Sequence, residues 1–184
     1  MILFATAKDG VRLAYETIGE GRDIVLIHGF GSSRAQNWRD TGWYKTLNEA
    51  GLRVTAMDCR GHGESDKPHT VEGYRHDEMK GDVLAVMEAA GIGRAIVMGY
   101  SMGGFIAIHL AAEHPANVSK LIVGGVGESY LDPPDKLRDR VADPRVRAEI
   151  VAALTTDDPS SITNANARGF RAFADQPGKD RLAL

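Results

Sequence analysis

Gly99-Tyr100-Ser101-Met102-Gly103 decides the fold of this chain, because the residues before it read as a strand and those after it as a helix. Arg94-Ala95-Ile96-Val97-Met98 is a short, mostly apolar run of the kind used by a parallel strand buried on both faces. Gly104 to Glu113 is made of good helix formers, and His114-Pro115 ends it. A serine at such a sharp strand-to-helix turn is held in a strained backbone conformation, with its hydroxyl projecting above the sheet. Gly99 and Gly103 are required there, since a Cβ at either would collide with the neighbouring strand or helix. Ser101 is therefore the candidate nucleophile.

A second strand-like run, Ile24-Val25-Leu26-Ile27, ends in His28-Gly29-Phe30-Gly31. With this stretch, Asp58-Cys59-Arg60-Gly61-His62-Gly63-Glu64-Ser65 and the Ser101 turn in register, the chain resembles the serine-nucleophile branch of the α/β-hydrolase family from about Phe4 to Val126. The Ser101-Met102-Gly103-Gly104 run is similar to carboxylesterases, enol-lactonases and cofactor-free haloperoxidases. The resemblance implies an α/β fold, a mainly parallel sheet flanked by helices with strands one to six present, followed by the beginning of a helical cap. It also implies an oxyanion hole made by the backbone N–H groups of Phe30 and Met102. The Met102 N–H would lie at a helix N-terminus, where the dipole favours negative charge.

Elsewhere the patterning agrees. Leu3–Ala7 and Val11–Thr17 flank Lys8-Asp9-Gly10 as a β-hairpin. Trp43, Tyr44, Leu47 and Ala50 fall at helical spacing before Gly51, and Leu52–Met57 reads as a strand before a loop from Asp58 to Pro68. Met79, Val83, Val86, Met87 and Ala90 make one face of a helix ending near Gly91, and Lys120–Val123 is a further strand. Strands alternating with helices argue for βαβ units. The character changes after residue 129: 1–129 reads as the hydrolase core and 130–184 as a helical cap segment. In that segment Asp143-Pro144 and Asp158-Pro159 look like helix starts. Ile150, Val151 and Leu154 form one apolar stripe there, and Phe170 with Phe173 another. Asp180 to Leu184 looks helical, without a stop signal.

Composition narrows the classes. The 184 residues can bury one sizeable core, and a net charge of −3 gives no reason to expect nucleic acid or an anionic membrane as partner. The single cysteine, Cys59, excludes an intrachain disulfide and suits a reducing compartment. The start lacks a basic region before an apolar core, so a cytoplasmic location is expected. Gly29 to Arg34 mimics the opening of a dinucleotide fingerprint, but Arg34 stands where the third glycine belongs. No metal-ligand spacing occurs, and the expected partner is a small acyl compound with no cofactor.

Ser101 needs a base, and here the chain falls short. The family order places an acid and then a histidine after the serine. The six histidines are at positions 28, 62, 69, 76, 109 and 114. His109 lies roughly 12 Å along the helix from Ser101 and cannot reach it. His28 and His62 read as loop braces. Glu128 follows the sixth strand, where some relatives carry their acid, but it reads as an exposed loop carboxylate. Trp38 and Tyr100, together with Phe170 and Phe173, are candidate pocket residues. The simplest expectation is a serine hydrolase of esters, lactones or similar acyl compounds. Its acid and histidine would lie past Leu184, leaving these 184 residues inactive alone. The rival is a non-catalytic ligand-binding or scaffold member of the fold. Serine at the elbow argues against the epoxide hydrolases and haloalkane dehalogenases of the same fold.

Overall fold

Asp9-Gly10 reverses the chain as its composition requires. Gly10 takes φ +90°, its N–H donates to the Ala7 carbonyl (2.9 Å), and β1 (Leu3–Thr6) pairs antiparallel with β2 (Arg12–Ile18). The computed structural model describes residues 1–127 and 144–184. β3 (Arg22–Ile27), β4 (Leu52–Met57), β5 (Ala95–Tyr100) and β6 (Val118–Gly124) complete a six-stranded sheet of order β1-β2-β4-β3-β5-β6. β4, β3, β5 and β6 are mutually parallel, and β2 pairs antiparallel with β4.

The apolar runs of β3 and β5 have no polar alternation because both faces of the sheet are covered. Val25, Ile27 and Val97 pack with Val83 and Met87 of α2 (His76–Ala89) and with Ile106 and Leu110 of α3 (Met102–Glu113). Ile24, Leu26 and Ile96 point the other way, onto Trp38 and onto Tyr44 of α1 (Trp43–Glu49). Each fully buried aliphatic side chain of this kind contributes about 1.5–3 kcal/mol.

Beyond the sheet, α4 (Pro144–Thr155) and α5 (Ala165–Ala174) lie against each other. Arg171 of α5 donates through Nη1 to the carbonyls of Ala153 (2.9 Å) and Thr156 (2.7 Å), a cation set against the C-terminus of α4. Two sequence expectations are corrected here. Asp158-Pro159 opens only a short 3₁₀ turn (Pro159–Ser161), and α5 begins later, where the Asn164 side chain accepts from the N–H groups of Asn166 (2.8 Å) and Ala167 (3.1 Å). Residues 181–183 form a single turn and not a helix, because the Asp180 carboxylate takes the N–H groups of Leu182 (3.0 Å) and Ala183 (3.3 Å). The expected division between 129 and 130 lies outside the described residues, as do Glu128 and Asp143. No described helix is long and apolar enough to cross a membrane.

Candidate active site

Ser101 joins β5 to α3 at φ +50°, ψ −114°, and among the described residues no other non-glycine residue has a positive φ. Such a conformation costs on the order of 1–3 kcal/mol and persists only where the surroundings impose it. They do so here. The Ser101 N–H donates to the Gly124 carbonyl (2.8 Å), tying the elbow to the end of β6. A Cβ on Gly99 would run into the Gly103 carbonyl, and one on Gly103 into the Ile27 carbonyl. Both glycines are therefore fixed by backbone.

The loop after β3 approaches from the opposite side. Gly29 comes so close that a Cβ there would stand 3.5 Å from the Ser101 Cβ. Its N–H donates to Asn37 Oδ1 (3.0 Å), and the Gly31 N–H donates to His62 Nε2 (2.9 Å). The N–H between them, that of Phe30, donates to no described residue. Met102 occupies the first position of α3, where an N–H has no helical carbonyl to meet. Phe30, next to Gly29 in this loop, and Met102, directly after Ser101, thus each keep a backbone donor without a described partner.

His28 and His62 brace this loop. His28 donates from Nδ1 to the Gly29 carbonyl (2.7 Å) and accepts the Cys59 N–H at Nε2 (3.0 Å). His62 donates from Nδ1 to the Arg60 carbonyl (2.8 Å) while Nε2 holds Gly31. These partners assign a neutral tautomer to each ring. Burial pushes His28 down to about 4 and His62 down to about 3, and their rings lie 5.0 Å apart, edge to face. With both nitrogens of both rings committed, neither has a lone pair for the Ser101 hydroxyl. Beneath them, buried Asp58 accepts the Arg34 N–H (2.7 Å) and the Glu64 N–H (2.9 Å) and pairs with the Arg34 guanidinium. Arg34 is a structural cation, which disposes of the dinucleotide reading. Burial raises the Cys59 thiol out of any reactive range.

A cavity of about 460 Å³ opens over Ser101. Its apolar wall is Phe30 and Tyr100 from the sheet side, with Phe170 and Phe173 from α5; Ser32, Asn37 and Asn166 supply polar groups. Trp38 is a correction. It is 2 % exposed, packs edge-to-face on Trp43 and belongs to the core under the sheet, one residue past the side chain that does line the cavity.

The other histidines stand elsewhere. His76 and His109 stack at 4.8 Å, and His114 caps the end of α3. His69 bonds through Nε2 to Asp180 (2.9 Å) and lines a second cavity with Phe30 and Met102, of which Ser101 is not a wall. That pairing joins residues 111 apart in sequence and has no signal in either segment. Asn37 was missed as well: it falls in no motif, and only the fold turns it toward Gly29. Glu128 lies outside the described residues. No cluster of metal-ligating side chains occurs among the described residues.

A family model described as alpha/beta hydrolase fold matches residues 24–174. The AB hydrolase superfamily protein YisY of Bacillus subtilis is 38 % identical over 121 residues, which are 65 % of this chain and 43 % of that protein. Epoxide hydrolase 4 of Mus musculus is 35 % identical over 125 residues, 65 % of this chain and 33 % of that one. Among solved structures, an esterase from Exiguobacterium antarcticum superposes with a TM-score of 0.72 at 26 % identity, covering 100 % of this chain and 70 % of the esterase. The chain spans less than half the length of these two curated relatives.

Proposed function

The chain belongs to the α/β-hydrolase fold family, and on that premise we propose that it carries the nucleophile and oxyanion-binding half of a serine hydrolase acting on an ester, lactone or similar acyl compound. The observation that supports this reading most is the strained Ser101, flanked by the uncommitted N–H groups of Phe30 and Met102. The Ser101 Oγ would attack the acyl carbonyl, and the two N–H groups would hold the oxygen as it becomes negative. Collapse would expel an alcohol and leave an acyl-enzyme, which water then cleaves. A donor pair of this kind is worth a few kcal/mol of barrier, and the sequence of steps requires no cofactor. Serine at 101 favours acyl chemistry over the reaction for which the murine relative is named.

A fluorophosphonate probe tests the assignment. It should label Ser101 slowly, faster with added imidazole as an external base, and Ser101→Ala should abolish labelling. Labelling that survives the substitution would sink the proposal. Turnover of p-nitrophenyl acetate by the 184 residues should stay near background, because the described histidines give Ser101 no base. The committed nitrogens of His28 and His62 equally favour a second reading, a family member that binds ligands in the cavity without turning them over. Absence of any labelling at Ser101 would select it.

A further inference from the structure

We propose that Asn37 is the specificity-determining residue of the Ser101 cavity, and that the cavity selects neutral acyl compounds with a second oxygen acceptor beside the reacting carbonyl. This rests on the reading of the cavity as the acyl site.

Asn37 has two jobs that its two amide atoms separate. Oδ1 is occupied by the Gly29 N–H at 3.0 Å. Because that partner is a donor, the amide orientation is assigned, and Nδ2 is the atom left over. No described residue accepts from Nδ2, and Asn37 lines the cavity. The side chain thus steadies the Gly29-Phe30 peptide next to Ser101 and presents two N–H donors to whatever fills the space.

Its mounting is unusually firm. Residues Ala35–Arg39 form a π-helical turn, with the Asp40 N–H donating to the Ala35 carbonyl (2.9 Å). Turns of this type are uncommon and concentrate at functional sites, because the extra residue re-aims one side chain. The turn is anchored on both sides of Asn37. The Arg34 N–H donates to Asp58 (2.7 Å), and Trp38 is locked in the core at 2 % exposure. A donor held on such a support loses little entropy when it binds an acceptor.

The rest of the lining decides the charge of the ligand. None of the described cavity residues is Lys, Arg, Asp or Glu. Aromatic walls at Phe30, Tyr100, Phe170 and Phe173 would have to desolvate a carboxylate, which is costly, and Lys179, whose Nζ lies 3.5 Å over the Phe173 ring, is not a wall of the cavity. A neutral body with an aryl or alkyl group and one further ether or carbonyl oxygen fits both halves of the lining.

Binding, not turnover, provides the test. Methyl 2-methoxy-2-phenylacetate and methyl 2-phenylbutanoate differ by one oxygen replaced by a methylene, and the free acid of the former adds a charge. Titrated into the 184-residue chain and followed by NMR, the methoxy ester should bind about tenfold tighter than its carbon isostere, the worth of one hydrogen bond. The free acid should bind more weakly than both. Asn37→Asp keeps an acceptor for Gly29 and removes the donor, so the methoxy ester should lose its tenfold advantage over the isostere, read as the ratio of the two affinities within the variant. Equal affinities of the two esters for the wild-type chain, or a preference unchanged in Asn37→Asp, would overturn the proposal, and so would no binding at about 10 mM. Failure of the fluorophosphonate experiment with the preference intact would remove the serine-hydrolase reading alone. Should Asn37→Asp not fold, the wild-type comparison still decides.

Discussion

β3 and β6 flank the same central strand, read alike in sequence and live in opposite environments. Ile24, Val25, Leu26 and Ile27 are all 0 % exposed, whereas Leu121, Ile122 and Val123 are 39, 44 and 37 % exposed. β3 has β4 and β5 as neighbours, while β6 has β5 on one edge and no described strand on the other. The loop that leaves β3 is held by His28, His62, Asn37 and Asp58, all bonding to its backbone between Gly29 and Arg34. The end of β6 gives the elbow one hydrogen bond, from Ser101 to Gly124. Ser101 therefore sits between a side held by several hydrogen bonds and a side that, among the described residues, gives it one. Rigidity at Ser101 comes from the β3 side.

The two glycines after Ser101 break or confirm that asymmetry most sharply. A Cβ on Gly103 would meet the carbonyls of Ile27 and His28, which are backbone and cannot yield. A Cβ on Gly104 would stand 2.7 Å from the Val126 side chain and 2.9 Å from that of Val123, on the exposed strand. Gly103→Ala should cost more than about 4 kcal/mol or prevent folding, and Gly104→Ala about 1–2 kcal/mol. Urea denaturation of both checks this. Equal costs would show that the β6 side is as unyielding as the β3 side.

Acid should attack the built side first. His28 and His62 are held near 4 and 3 by burial, below the ordinary 6.5, so the stability they represent is complete above pH 6.5 and is lost as pH falls toward those values. Between pH 7 and 5 the two rings together account for roughly 4 kcal/mol. Asp82 works the other way. Its carboxyl, which lies against Arg60, is pushed up to about 6 by burial, and proton uptake in the folded state returns roughly 1 kcal/mol over the same interval. A net loss of about 2–3 kcal/mol is expected from urea midpoints at the two pH values. His62→Gln, which can still accept the Gly31 N–H, should remove most of the pH slope. A slope that persists unchanged in this variant would place the acid sensitivity outside the braced loop.

The legible parts of the molecule are those written in local chemistry. The Asp9-Gly10 turn, the buried runs of β3 and β5, and the glycines around Ser101 each follow from conformational limits acting within a few residues. The Trp38 and Asn37 outcome shows where this stops. Both were visible as neighbours in Gln36-Asn37-Trp38, but a π-helical turn decides which enters the core and which the cavity, and no composition signal announces such a turn. Asp180 was equally opaque. Its helical-looking surroundings were overruled by its own carboxylate, which caps a turn and reaches His69 from 111 positions away. β6 was legible as a strand from its apolar run alone.

Ile122 gives the smallest stability effect and the most direct test of the difference between β3 and β6. Val123 approaches Gly104 of α3, so Leu121 shares its face and Ile122 points to the other side of the sheet, opposite Met98 in the parallel register. At 44 % exposure Ile122 has little burial to lose, so Ile122→Lys should change stability by no more than about 0.5–1 kcal/mol, against about 2–5 kcal/mol for Leu26→Ala in β3. The same lysine should change association strongly. A parallel strand that is an edge among the described residues and carries exposed Leu, Ile and Val offers N–H and C=O groups that can template pairing with a second chain, and an edge lysine is the natural deterrent. Sedimentation velocity should show the wild-type chain associating as concentration rises, and Ile122→Lys should shift it toward monomer with the melting temperature nearly unchanged. A monomeric wild type in which Ile122→Lys is as costly as Leu26→Ala would mean that β6 is covered in solution as β3 is, and the contrast between the two strands would disappear.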